Sequence, residues 1–188
     1  TFFNFWNLNV VIKVNNRKIL NGIMNQAGIK DQKEALISID KLDKIGKEGV
    51  AKELKERGYK EPQIDKLFDL ILGKVTLASL KKKITDEEGK EGLAELTELF
   101  SYVKKMGVKE AIFDISLARG QAYYTGTVIE AFLKKSKITS SIAGGGRYDD
   151  MIGGYMGGNR IVPAVGISFG IAPIMDALKM QQDVKTKT

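Results

Sequence analysis

The pattern of apolar and polar residues divides the chain into a strand-rich beginning, a helical middle and a glycine-rich end. Residues 8–14 are mostly β-branched or apolar and lead into Asn15 and Asn16, so they predict a strand closed by a turn. Residues 17–26 carry apolar side chains at helical spacing and predict a helix. The chain therefore begins with a strand that leads into a helix.

The middle of the chain, residues 38–107, predicts a small helical module. Its apolar stripes indicate four short amphipathic helices, and a glycine closely follows each of the last three, as is common at helix ends. The charge runs between the third and fourth helices are interpreted as solvated surface. The four stripes are Leu36 to Leu42, Val50 to Leu54, Ile64 to Ile71 and Leu93 to Val103.

The end of the chain predicts strands joined by glycine-rich turns. Phe113 to Leu117 alternates and predicts a strand that delivers Arg119 at its end, and residues 125–133 predict a second strand paired with it. Eleven of the 20 glycines lie between residues 120 and 170. This density indicates tight turns or a close approach of the backbone to a ligand.

The last predicted strand, Val165 to Ile171, has one bulky face and one bare face. Gly166, Ser168 and Gly170 alternate with larger apolar residues. A flat ligand such as a nucleotide base could lie against the bare face, and the alternative is a helix or neighbouring sheet packed closely there.

Composition restricts the chemistry. The chain has 188 residues, 43% apolar and 28% charged, which is typical of a soluble globular protein. It contains no cysteine and no histidine, which excludes thiolate or imidazole metal sites and a Ser-His-Asp triad. Any catalysis must use carboxylates, lysine, arginine, tyrosine or backbone amides.

The net charge of +7 favours an anionic ligand such as a nucleotide or RNA without requiring one. The basic excess lies in the two flanks, whereas residues 38–107 are nearly neutral. The longest uncharged run, Ile161 to Met175, is too short to span a bilayer. The apolar start lacks the basic region of a signal peptide, so we expect a cytoplasmic protein without a membrane partner.

Three motifs follow one another near the end of the chain. Arg119 and Gly120 precede Tyr123 and Tyr124, which on a strand would point to opposite faces, one structural and one toward a ligand. The guanidinium group matches carboxylate and phosphate oxygens. The second motif is Gly144-Gly145-Gly146-Arg147-Tyr148-Asp149, and the third is the glycine-containing strand that begins after Pro163 and Ala164.

The order and spacing of these motifs resemble those of histidyl-tRNA synthetases. The resemblance implies an α+β fold: a mainly antiparallel sheet flanked by helices, part of the class II catalytic core, with an inserted small all-helical domain. It implies core segments at 1–37 and 108–188. The module at 38–107 resembles the insertion domain of archaeal and eukaryotic members. The first two class II motifs and the anticodon-binding domain have no counterpart, so the chain is similar to a fragment containing the C-terminal half of the catalytic domain.

The resemblance also implies residue roles. Arg119 is expected to be catalytic, close to the carboxylate of histidine and the α-phosphate of ATP. The expected histidine-binding residues are Tyr123, Tyr124, Tyr148, Gly144 and Gly145. Those expected to bind ATP are Arg119, Gly166, Ser168 and Gly170. Magnesium is expected on the ATP phosphates with no metal held by the protein, and the implied partners are tRNA(His) and, in the full-length protein, a second copy in a homodimer.

Two departures from the family pattern leave an alternative open. Gln121-Ala122 replaces Leu-Asp in the arginine motif, and Ala172-Pro173 replaces the Glu-Arg pair whose arginine holds the ATP γ-phosphate. Proline suits the first turn of a helix, so the fold is expected to survive the second change. The alternative is a catalytically inactive, synthetase-like paralogue or regulatory module that binds histidine or RNA.

Overall fold

The computed structural model describes residues 2–118, 123–157 and 160–185. Helices and strands are numbered separately along the chain. The helices are α1 (Phe2–Phe5), α2 (Arg17–Ala27), α3 (Gln32–Ile39), α4 (Leu42–Glu56), α5 (Glu61–Ile71), α6 (Leu77–Lys83), α7 (Glu87–Lys105), α8 (Asp149–Tyr155) and α9 (Ile171–Lys185). The strands are β1 (Val10–Asn16), β2 (Ala111–Phe113), β3 (Thr127–Leu133), β4 (Ala143–Arg147) and β5 (Val165–Phe169).

The strands form one sheet in the order β2-β1-β3-β4-β5. The β1–β2 pair is parallel and the other pairs are antiparallel, which confirms the predicted mainly antiparallel α+β fold. In the register, Glu130 lies between Lys13 and Gly144, and Gly144 lies opposite Ser168. Since side chains alternate along a strand, Lys13, Glu130 and Ser168 project from one side, which we call the polar face.

The opposite face of the sheet is packed against helices. Val14 belongs to a buried cluster with Ile19 and Ile23 of α2. Farther along the same face, a second buried cluster joins β1, β3 and β4 to α9 through Val10, Ala131, Ala143, Ile174 and Ala177. The helices therefore cover the apolar face of the sheet, and the polar face is the side on which a functional site can form.

The predicted turn at Asn15 and Asn16 is wrong, because both residues belong to β1 and are fully buried. The Asn16 side chain accepts a hydrogen bond from the backbone N–H of Lys18 at 2.9 Å and caps α2 while its own backbone stays extended. The chain thus passes from strand to helix without an intervening turn.

The strand predicted from Phe113 to Leu117 is shorter than expected, since β2 ends at Phe113. The next residues turn, because the Asp114 carboxylate accepts a hydrogen bond from the backbone N–H of Ser116 at 3.0 Å. β2 also pairs with β1, not with residues 125–133 as predicted. Those residues pair instead with β1 and β4.

The buried Asn15 side chain anchors this turn. Its amide donates to the carbonyl oxygens of Ile115 and Leu117 at 3.2 and 3.1 Å. We expect Asn15→Ala to lower the free energy of unfolding by about 2 kcal/mol, because it leaves buried carbonyls without donors. Urea unfolding measures the effect, with Asn9→Ala, whose side chain is exposed, as the control. An unchanged midpoint for Asn15→Ala would contradict the anchoring role.

The helical module contains α6, which the apolar pattern did not reveal. Leu80 is the only residue of α6 that is buried, so the helix lacks a strong stripe. Its N-terminus is instead set by a reciprocal pair: Thr76 Oγ1 accepts from the Ser79 N–H at 3.1 Å, and Ser79 Oγ accepts from the Thr76 N–H at 2.9 Å. The other predicted helices correspond to α3, α4, α5 and α7.

One hydrophobic core joins the module to α2. Leu54, Leu67 and Leu96 are fully buried in the same cluster as Ile19 and Ile23. The division at residues 37 and 107 stays a prediction, and α3 passes through its first boundary. None of the described helices has the length and apolar character needed to cross a membrane.

Candidate functional site

A cavity of about 370 Å³ lies at the junction of β3, β4 and β5. We call it the tyrosine cavity, because Tyr123 and Tyr124 form part of its wall. Several of the predicted histidine-binding and ATP-binding residues line this cavity, whereas Tyr148 and Gly166 are not part of its lining. Those that line the cavity are Tyr123, Tyr124, Gly144, Gly145, Ser168 and Gly170.

The tyrosine rings form a cluster of three. The ring centroids of Tyr123 and Tyr124 are 4.6 Å apart, and Tyr148 lies 6.0 and 6.4 Å from them. The prediction that Tyr123 and Tyr124 point to opposite faces is wrong. Both precede β3, so strand alternation does not apply to them.

Two glycines provide the space for these rings. A Cβ atom at Gly146 would lie 3.0 Å from the Tyr124 ring and 2.5 Å from the Thr127 carbonyl oxygen. A Cβ at Gly166 would lie 2.5 Å from the Tyr148 hydroxyl. The bare face of β5 is therefore occupied at Gly166 by a tyrosine of the same chain.

Backbone and ionic contacts hold Tyr148 in place. Its N–H donates to the Ala164 carbonyl oxygen at 2.9 Å. On either side of it, Arg147 Nε donates to the Asp149 carboxylate at 2.7 Å, and that carboxylate also accepts from the Ala164 N–H at 3.1 Å. Burial opposes ionisation of Asp149, but these hydrogen bonds lower its pKa overall. Arg147 and Asp149 thus fix the loop around Tyr148.

Glu130 lines the same cavity and was not among the predicted site residues. It also borders a second cavity of about 400 Å³, which includes Lys13 and Phe132. Burial is the main cause of a raised pKa for Tyr124, and a hydrogen bond with Tyr123 and the charge of Glu130 add to it. Tyr124 therefore stays a neutral hydroxyl at physiological pH. A charged residue within an otherwise apolar strand was the signal that could have identified Glu130.

Comparison with known proteins decides the family. A family model described as Histidyl-tRNA synthetase matches residues 6–174. The chain is 42% identical over 189 aligned residues to histidine–tRNA ligase 1 of Bacillus cereus, an alignment covering 98% of the chain and 43% of that relative. It is 39% identical to the Clostridium tetani histidine–tRNA ligase over 175 residues, covering 89% of the chain and 39% of the relative.

The chain belongs to the histidyl-tRNA synthetase family. It spans less than half the length of these curated relatives. Both are bacterial, and the predicted archaeal and eukaryotic type stays a prediction.

Solved structures agree with this family. The crystal structure of histidyl-tRNA synthetase from Nostoc sp. PCC 7120 superimposes with a TM-score of 0.84 at 32% identity, covering 96% of this chain and 44% of that one. A structure titled as an ATP phosphoribosyltransferase regulatory subunit/histidyl-tRNA synthetase from Bacillus halodurans C has a TM-score of 0.72 at 22% identity. The superposition covers 90% of this chain and 44% of the Bacillus halodurans chain. At 22% identity this likeness shows the fold alone.

Arg119 is the predicted catalytic residue, and it lies outside the described residues. The same holds for the next three residues, Gly120, Gln121 and Ala122. The flanking residues are described: Ala118 is buried, and Tyr123 lines the tyrosine cavity. The role of Arg119 therefore stays a prediction.

The departure from the third synthetase motif lies at the start of α9. The helix begins at Ile171, so Ala172 and Pro173 occupy its first turn, where proline is tolerated. The fold accommodates this change, as predicted. Among the described residues, no group of three or more acidic side chains is arranged to hold a metal ion.

Proposed function

We propose that this chain is part of a histidyl-tRNA synthetase that activates histidine with ATP and transfers it to tRNA(His). The observation that carries the proposal is the cavity where Tyr123 and Tyr124 meet the glycines of β4. Its volume of about 370 Å³ falls within the range of small-molecule sites. The family membership supports this choice of substrate.

The proposed reaction has two steps. A carboxylate oxygen of histidine attacks the α-phosphate of ATP, supplied as its magnesium complex, and pyrophosphate leaves as histidyl-adenylate forms. A ribose hydroxyl of tRNA then attacks the carbonyl carbon and releases AMP. Arg119 is proposed to stabilise the charge that develops on the phosphoryl oxygens, which is electrostatic catalysis and needs no histidine side chain.

Tyrosine hydroxyls are proposed to recognise the substrate imidazole. Tyr124 remains protonated, because burial raises its pKa, and Tyr148 is held beside it by the loop contacts. A neutral hydroxyl can donate to an imidazole nitrogen or accept from its N–H.

We expect Tyr124→Phe to weaken histidine binding by about 1–3 kcal/mol, because a polar ligand group loses its hydrogen-bond partner. Isothermal titration calorimetry on the full-length gene product measures the change. Tyr155→Phe is the matched control, since Tyr155 is 86% exposed. Equal affinities of Tyr124→Phe and the wild type would remove Tyr124 from the recognition site.

The oligomeric state, the location in the cell and the division into domains are part of the same proposal. We propose a cytoplasmic homodimer of the full-length protein, with residues 38–107 acting as an insertion domain of the archaeal and eukaryotic type. Residues 1–37 and 108–188 are proposed to contribute to the catalytic core. Gly166, Ser168 and Gly170 are proposed to contact ATP, while Gly144 and Gly145 lie against histidine.

A second candidate is a synthetase-like paralogue that binds histidine or RNA without aminoacylation. The observation that favours it is the Ala172-Pro173 pair in the first turn of α9, where the family pattern has Glu-Arg. Because Pro173 stands where the family pattern has arginine, this position has no positive charge to bind the ATP γ-phosphate.

Histidine-dependent ATP–pyrophosphate exchange separates the two candidates. The full-length gene product is expected to exchange labelled pyrophosphate into ATP only when histidine is present. Absence of exchange together with retained histidine binding would favour the paralogue. If the protein neither exchanges pyrophosphate nor binds histidine, the synthetase hypothesis and the histidine-binding paralogue hypothesis are both rejected.

A further inference from the structure

Thr125 joins the two chain segments that carry the tyrosine cluster. It directly follows Tyr124 and lies two residues before β3. Its N–H donates to the Arg147 carbonyl oxygen at 2.9 Å, and its Oγ1 accepts from the Asp149 N–H at 3.1 Å. Thr125 is therefore bonded to the residue before Tyr148 and to the residue after it.

The hydroxyl of Thr125 supplies a cap that the N-cap residue of α8 does not provide. Asp149 is the first residue of α8, and the N–H groups of the first turn have no acceptor within a helix. Tyr148 occupies the N-cap position, and its side chain forms no capping hydrogen bond. Thr125 Oγ1 satisfies one of these N–H groups from a distant segment, a role that a serine, threonine or aspartate at the N-cap position usually fills.

This arrangement leaves the Tyr148 side chain available for the cluster. A Cβ atom at Gly166 would lie 2.5 Å from the Tyr148 hydroxyl, so the ring lies against β5 and not over the start of α8. Its centroid is 6.4 Å from that of Tyr124. One of these tyrosines is the neighbour of Thr125 in sequence, and the other is flanked by its two hydrogen-bond partners. A shift of Thr125 relative to Asp149 therefore changes the spacing of the two tyrosine hydroxyls.

We propose that Thr125 is a positioning residue for histidine recognition, whose hydroxyl fixes Tyr148 relative to Tyr124. This inference rests on the proposed function, because it takes these tyrosines as residues that bind histidine. Thr125 is not among the described residues that line the tyrosine cavity. It therefore acts on the substrate through the tyrosines and not by direct contact.

The test compares Thr125→Val with Thr125→Ser in the full-length gene product. Valine keeps the shape of the side chain and the backbone bond to Arg147, but it removes the acceptor for the Asp149 N–H. Calorimetry without ATP is expected to show histidine binding about 3- to 10-fold weaker in Thr125→Val, the size of one lost hydrogen bond. Thr125→Ser is expected to bind histidine like the wild type, because it retains the hydroxyl.

Thr139→Val is the matched control, because it makes the same exchange at an exposed position between β3 and β4. It is expected to bind histidine like the wild type, and a loss equal to that of Thr125→Val would overturn the inference. Wild-type affinity of a folded Thr125→Val protein, or equal losses in Thr125→Val and Thr125→Ser, would overturn it as well.

A double-mutant cycle with Tyr148→Phe separates positioning from a merely structural effect. If Thr125 acts through Tyr148, Thr125→Val is expected to weaken histidine binding less in the Tyr148→Phe background than in the wild type. An effect that does not pass through Tyr148 changes the affinity by the same factor in both backgrounds. Additive losses would therefore overturn the inference.

A crystal structure of the wild-type protein with histidine tests the geometry even if Thr125→Val does not fold. A Tyr148 hydroxyl within about 3.2 Å of a histidine nitrogen, with Thr125 still bonded to Asp149, supports the inference. A direct contact between Thr125 and histidine, a Tyr148 hydroxyl remote from the ligand, or a broken bond to Asp149 overturns it.

The proposed function fails separately, because in that case the wild-type protein shows no histidine binding at all. A protein that binds histidine but shows one of the overturning results retains the proposed function and loses only the positioning role of Thr125.

Discussion

Replacing Arg119 by alanine is expected to reduce histidine-dependent pyrophosphate exchange by at least about 10²- to 10³-fold, the usual cost of losing a preorganised transition-state donor. In the proposed reaction, charge builds on the α-phosphoryl oxygens as the histidine carboxylate attacks. A guanidinium group carries its charge at all physiological pH values and offers a planar array of donors. The loss is therefore expected mainly in the rate of adenylate formation.

Single-turnover kinetics separates this effect from binding. Histidine affinity is expected to fall far less than the rate of adenylate formation, and the thermal melting temperature is expected to stay near that of the wild type. Arg57→Ala is the matched control, because Arg57 lies at the C-terminal end of α4 and pairs with Glu34. Equal exchange rates for Arg119→Ala and the wild type would refute the catalytic role.

Introducing a single methyl group at Gly22 is expected to destabilise the whole fold. A Cβ at this position in α2 would lie 2.5 Å from Gly89 Cα and 2.6 Å from Gly89 N on α7. These neighbours are backbone atoms, so the helices must move apart to admit the methyl group. Separation would loosen the packing of Ile19, Ile23 and Leu96, which are fully buried. We expect Gly22→Ala to lower the free energy of unfolding by about 3 kcal/mol.

Gly154→Ala provides a control with the opposite expected sign. Gly154 lies in α8, and a Cβ there would have no neighbour within 4 Å. Alanine is favoured over glycine in a helix by about 1 kcal/mol, so this variant is expected to be neutral or more stable. Urea unfolding of both variants measures the difference. A Gly22→Ala protein as stable as the wild type would contradict the close helix crossing.

The helices with strong apolar stripes were predictable, whereas α6 was not. Helical periodicity identified α5 and α7, and the glycines at 73 and 107 marked their ends; both have positive φ, at 82° and 71°. α6 was missed because its position depends on capping at Thr76 and on the burial of Leu80 alone. Local patterns predict elements well only where the pattern repeats over several turns.

The candidate site was predictable only in part. Motif order identified Tyr123, Tyr124 and Gly144, which the structure brings to one cavity. It gave no indication of the Glu130 contact with that cavity, because the contact depends on the β3–β4 register. The orientation of Tyr123 and Tyr124 was also mispredicted, since strand alternation was applied to residues that precede β3.

The sequence by itself determined the family and the mainly antiparallel α+β class, because motifs and periodic patterns are formed by residues close together along the chain. It also excluded catalysis by cysteine or histidine side chains of this chain, because its composition contains neither residue. The tertiary structure alone decided that Asn15 anchors Ile115 and Leu117, a hundred residues away. It likewise decided that Gly22 meets Gly89 and that Tyr148 occupies the space above Gly166. Such contacts depend on how distant segments pack, and no periodicity within either segment records which partner it will meet.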